Sequence, residues 1–127
     1  MALKYDFTLS NNIFIGADKI LEFEVLDADD LPVDVSAFTM AFAAGLPGST
    51  AFIAKTSAVG GGITVTGTYD AVRAANTQRV RVAIASANTS AQRASRQYEY
   101  SLTREDAGYE DTLAWGAFPL RAAYGDA

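Results

Sequence analysis

Two groups of carboxylates are the first candidates for chemistry in this sequence. Asp27, Asp29, Asp30 and Asp34 stand close together along the chain. Hard cations such as calcium bind where several carboxylate oxygens converge. The spacing here lacks the glycine at the sixth position and the glutamate at the twelfth of an EF-hand loop. The plainer reading is a solvated turn in which Asp side chains cap backbone amides. Glu105, Asp106, Glu110 and Asp111 form the second group. Paired carboxylates can hydrolyse glycosides without histidine, but these four flank an expected turn, where carboxylates mainly serve solubility. Gly60-Gly61-Gly62 could suggest a phosphate cradle. Such a loop leads into a helix N-terminus, whereas Ile63-Thr64-Val65-Thr66 reads as a strand. The triple glycine therefore reads as a loop between strands. No catalytic, cofactor-binding or metal-binding residue is assigned.

Composition narrows the chemistry further. The 127 residues include no cysteine and no histidine. Disulfides, catalytic thiols and thiolate metal sites are excluded. So are the Ser-His-Asp triad and the commonest general base. Acidic residues (15) outnumber basic ones (10), for a net charge of -5. That balance argues against nucleic acid, which wants a basic face. Arg73, Arg79, Arg81, Arg93, Arg96 and Arg104 nevertheless give the second half a basic bias. This is either a bipolar charge distribution that orients the domain in an assembly or a set of ordinary solvated strand faces. Charges at Lys4 and Asp6 interrupt any signal-peptide core, and no apolar run reaches the ~20 residues of a spanning helix. The expectation is a soluble protein with no membrane partner.

The elements that must position these residues are strands. Leu21, Phe23 and Val25 alternate with Glu22 and Glu24. The same period of two appears in Phe38, Met40 and Phe42, in Ile63 and Val65, in Val80, Val82 and Ile84, and in Tyr98, Tyr100 and Leu102. Alternation puts one face in the core and the other in water. Residues 51–56 and 112–120 read as further strands, and 5–15 as one or two edge strands. Tyr98, Tyr100 and Trp115 fall on the apolar phase and are expected in the core. Gly116 suggests a bulge in the last strand. Residues 69–75 and 85–95 could each hold a short helical turn. Turns recur every ~8–12 residues, the signature of an all-β sandwich. The expected fold is an antiparallel, immunoglobulin-like β-sandwich of seven to nine strands in a single domain. Residues 122–127 read as a short C-terminal tail.

The order of motifs carries a resemblance. An early strand, Leu21 to Asp27, runs through an Asp-rich turn into Leu31-Pro32-Val33-Asp34-Val35-Ser36. Ala87-Asn88-Thr89 precedes Arg96-Gln97-Tyr98-Glu99-Tyr100-Ser101-Leu102. A turn then leads to Thr112-Leu113-Ala114-Trp115-Gly116-Ala117-Phe118-Pro119-Leu120. This resembles small immunoglobulin-like virion proteins of tailed bacteriophages, including the N-terminal domain of phage baseplate upper proteins. Asp30, Val35 and Asn88 stand where that family carries glycine, leucine and aspartate. The resemblance implies a non-enzymatic structural component of the virion, assembled in the bacterial host cytoplasm. It implies no catalytic residues and no cofactor. The foremost expectation is a capsid decoration protein bound to assembled heads in many copies. The alternatives are a neck, tail or baseplate adaptor and a carbohydrate-binding adsorption module. The implied partners are other virion proteins, such as the major capsid or tail proteins, and further copies of the chain.

Overall fold

The computed structural model describes residues 3–7, 13–92, 97–118 and 120–121. Two four-stranded antiparallel sheets face each other. The first has the order β1 (Leu3–Phe7), β3 (Lys19–Asp27), β7 (Arg79–Ile84), β6 (Ile63–Thr66). The second has the order β5 (Ile53–Thr56), β4 (Met40–Gly45), β8 (Glu99–Arg104), β9 (Asp111–Ala117). Chain order and sheet order together give the immunoglobulin-type Greek key. A short parallel pair joins β2 (Ile13–Phe14) to β10 (Leu120–Arg121). The expected all-β sandwich is the observed fold.

Alternation does most of the positioning. On β7, Val80, Val82 and Ile84 are buried, while Arg81 and Ala83 are exposed and Arg79 is half-buried. β4 and β8 read the same way, with Phe42, Tyr100 and Leu102 inside. The core between the sheets is a ring cluster. Phe23 of the first sheet lies 6.4 Å from Phe42 and 5.9 Å from Tyr100 of the second, centroid to centroid. Phe42 stacks on Tyr100 at 5.8 Å, and Phe118 reaches Phe42 at 6.3 Å. Such ring pairs contribute ~0.5–1.5 kcal/mol beyond their buried area.

The helical expectations are met in shortened form. Arg73–Ala75 is one 3-10 turn, and Ser86–Thr89 is one α turn, α1. Thr89 is fully buried, and its Oγ1 accepts the Gly16 N–H at 2.9 Å. Ser86 N–H donates to Asp18 Oδ1 at 2.7 Å. These two bonds dock α1 on the β2–β3 turn. Residues 93–96 and the tail 122–127 lie outside the described residues.

The last strand departs from expectation. Trp115 is not in the core; it is 68% exposed. The cause is a register shift at Leu102/Thr103: Leu102 pairs with Ala114, but Thr103 pairs with Thr112. Leu113 is thus an extra residue, and Leu113 and Ala114 are both buried in succession. A bulge of this kind inverts the phase of everything beyond it. The irregularity is three residues before Gly116, which sits in regular register opposite Tyr100. β4 also starts at Met40, two residues later than the alternation from Phe38 implies.

The ring cluster sets the expected cost of core disruption. Phe42→Ala should lower unfolding free energy by ~3–5 kcal/mol, read from denaturant titration.

Candidate functional site

The acidic groups are occupied by the backbone around them. Asp27 Oδ1 accepts the N–H groups of Asp29 at 2.8 Å and Leu31 at 3.1 Å, closing the turn from within. Asp30 takes the left-handed conformation, φ 62°, which glycine adopts at no steric cost. Asp34 turns the other way: its Oδ1 accepts from Ser36 N–H and from the Gln78 amide. Gln78 is buried and its Oε1 accepts the Val35 N–H, so it ties this loop to the segment before β7. Hydrogen bonds from Gln78 and Ser36 hold the Asp34 carboxyl below its ordinary value. Among the described residues, no three Asp or Glu side chains are grouped as a metal site would need.

The second acidic group is also engaged locally. Asp106 Oδ2 receives Arg104 Nε at 2.8 Å and the Thr39 N–H at 3.0 Å. Both contacts lower its pKa, Arg104 most. Glu105 accepts from Thr103 Oγ1, Glu110 from Gly108 N–H, and Asp111 from Thr112 N–H. The Arg104 guanidinium lies 3.8 Å from the Phe38 ring centroid and 4.9 Å from that of Tyr109. This corner is a staple between the β8–β9 loop and the entry to β4.

The described arginines of β7 and its approach pair with carboxylates of β3 while staying partly in solvent. Arg81 Nε meets Glu22 at 3.0 Å on the exposed face. Glu24 is only 5% exposed although it lies on the outer side of its sheet. Residues 68–79 fold over it. Asn76 Nδ2 donates to it at 2.8 Å, and Arg73 and Arg79 approach at 3.4 Å each. Charges from the two halves of the sequence are therefore neutralised within one sheet. Arg93 and Arg96 lie outside the described residues.

The open flank of the sandwich is the remaining candidate. β6 ends its sheet, and among the described residues no strand pairs with its outer edge. Ala83 N–H donates to Gly62 O at 2.9 Å. Antiparallel pairing alternates from there, so the N–H and C=O of Val65 point away from β7. The glycine loop packs tightly at one end of this edge. Thr56 N–H bonds Gly61 O at 3.0 Å, and a Cβ at Gly61 would collide with the Thr56 carbonyl. No helix follows, so the loop positions β6 rather than a phosphate. Beside this edge runs a groove of about 830 Å³ whose lining includes Ile20, Phe38, Val59, Ile63, Val65 and Arg81. Ile20 is 55% exposed and Val59 is fully exposed. An unpaired edge beside apolar side chains can accept an extended segment by strand addition. Sequence reasoning placed the edge strands at residues 5–15, of which 8–12 lie outside the described residues. The β6 edge was signalled only by the short Ile63–Thr66 alternation after three glycines.

No protein-family model matches the chain, and no curated protein matches it either.

Two outcomes are expected. Glu24→Ala should cost ~1–2 kcal/mol, less than a fully enclosed ion pair because Arg73 and Arg79 can turn to solvent. Amide exchange should then quicken over residues 68–79. The Asp106 carboxyl, held below its ordinary 3.8, favours the charged form on folding. Its contribution is present above that value and is lost as pH falls through the lower folded-state value. Asp106→Asn should therefore be less stable than the wild type at pH 6 and lose less on acidification to pH 2, read by denaturant midpoints.

Proposed function

We propose that this chain is a non-enzymatic structural component of a tailed-bacteriophage particle that decorates assembled heads in many copies. The observation that carries this reading is the open β6 edge with its groove. It is a surface suited to docking on another chain, and the carboxylates that could have catalysed a reaction are engaged in turns and ion pairs. The immunoglobulin-type strand order agrees with the family that the sequence motifs resemble. Fold alone assigns no function, so the reading rests on the edge and the motifs together. In this reading a segment of the major capsid protein lies along β6 and buries Ile20 and Val59. Each contact is modest, and tight retention comes from neighbouring copies engaged on one lattice.

Binding of purified protein to expanded heads tests this directly. Ile20→Lys and Val59→Asp change exposed side chains and leave the fold intact. Each should weaken head binding at least tenfold, about 1.4 kcal/mol. Protein that does not sediment with heads overturns the reading. Quantitative mass spectrometry of particles supplies the second arm. Hundreds of copies support decoration, whereas a handful that scales with portal or tail proteins would make the chain a neck or baseplate adaptor.

A further inference from the structure

We propose that the outer face of the second sheet, around Trp115, pairs with the same face of a second copy of this chain. The register places Ala54, Ala43, Ser101 and Trp115 in one row across β5, β4, β8 and β9. The neighbouring row runs Thr56, Ala41, Thr103. Neither row holds a charge, although one residue in five of the chain is charged. Glu99 and Asp111 stand only at the ends of their strands. The other sheet shows the contrast. Its outer side carries Glu22, Glu24 and Arg81 and is partly covered by residues 68–79.

Three features favour a second copy as occupant. First, each copy carries a net charge of -5, so two copies approach best through the face poorest in charge, where Glu99 stands at one end of β8. Second, alanine is depleted in strands, yet Ala41, Ala43 and Ala54 all stand outward here. Neither strand propensity nor burial in their own core accounts for them; a close-approaching neighbour does. Third, the face is complementary to itself. Trp115 projects at one margin, and the alanine floor of β4 and β5 lies at the other. A two-fold axis parallel to the strands, between β4 and β8, sets Trp115 of each copy over Ala54 of its mate. The same axis sets Ser101 over Ala43. Contacts of this reciprocal kind define an isologous interface, and Trp is enriched among the residues that carry binding energy. Four strands ~4.8 Å apart and about six residues of ~3.4 Å give on the order of 400 Å² per copy. Stable complexes bury about 800 Å² per partner, so the pairing is weak in dilute solution and strengthens where copies are crowded together.

The test uses the whole chain from micromolar to millimolar concentration. Sedimentation equilibrium should show a shift from 13.5 kDa towards twice that mass. Trp115 is the only tryptophan, so its emission should move to the blue over the same range. Trp115→Ala and Ala54→Asp should each weaken association at least tenfold with an unchanged circular dichroism spectrum. Ala58→Asp, in the β6 groove, should leave it unaffected. The proposal is overturned by a chain that stays monomeric at millimolar concentration with constant emission. It is equally overturned if Ala58→Asp, and not Ala54→Asp, abolishes association. An emission shift produced only by added glucose or N-acetylglucosamine oligosaccharides would overturn it too, and would make the face a sugar platform.

Discussion

Large side chains are the scarce resource of this fold. Of 127 residues, 24 are alanine, and alanine cannot fill the ~10 Å between two packed sheets. That gap is spanned by rings. Phe23 reaches across to Phe42 and Tyr100, and Phe118, just beyond β9, closes the cluster. Everything else is arranged around this contact. β3 and β4 must present their phenylalanines inward, which fixes the face of every other side chain on both strands. Ala41 and Ala43 of β4 and Ala54 of β5 are then directed outward, while Ala44 packs in the core.

The two outer faces follow from that choice in different ways. The first sheet uses its outward positions for charge, and the charges recruit a cover. Glu24 would be an ordinary solvated carboxylate if residues 68–79 did not fold over it. Once covered, it requires partners, and Asn76, Arg73 and Arg79 supply them. A buried polar group without such bonds would cost more than the cover gains. The second sheet carries only Glu99 as an outward charge on its central strands, at the start of β8, and Ala43 and Ser101 stay half-buried. One sandwich thus has a self-satisfied face and a bare one.

This division also marks what could be read from the sequence. β3, β7 and β8 were legible because apolar and polar residues alternate along most of each, and the sandwich follows from the number and spacing of such runs. β9 was not. Its bulge depends on how Thr112 and Leu113 meet Leu102 and Thr103, a relation between segments ten residues apart. Alternation within one strand cannot reveal it, and Trp115 was placed on the wrong face as a result. The burial of Glu24 is likewise non-local, since its partners come from about fifty residues later in the chain. The groove was hidden for the same reason: Ile20, Phe38 and Val59 come from three separate segments. The Asp27 turn was fully legible, because an Asx turn is made by neighbours.

The pairing of β2 with β10 has a mechanical meaning. These strands run parallel and side by side, so β2 starts and β10 finishes at opposite ends of their common axis. Tension applied along the chain would pull the two strands in opposite directions along their common axis. Their cross-links would be loaded in shear and would yield together, instead of opening one after another like a zip. The clasp is two residue pairs long, so such a load would fall on both pairs at once.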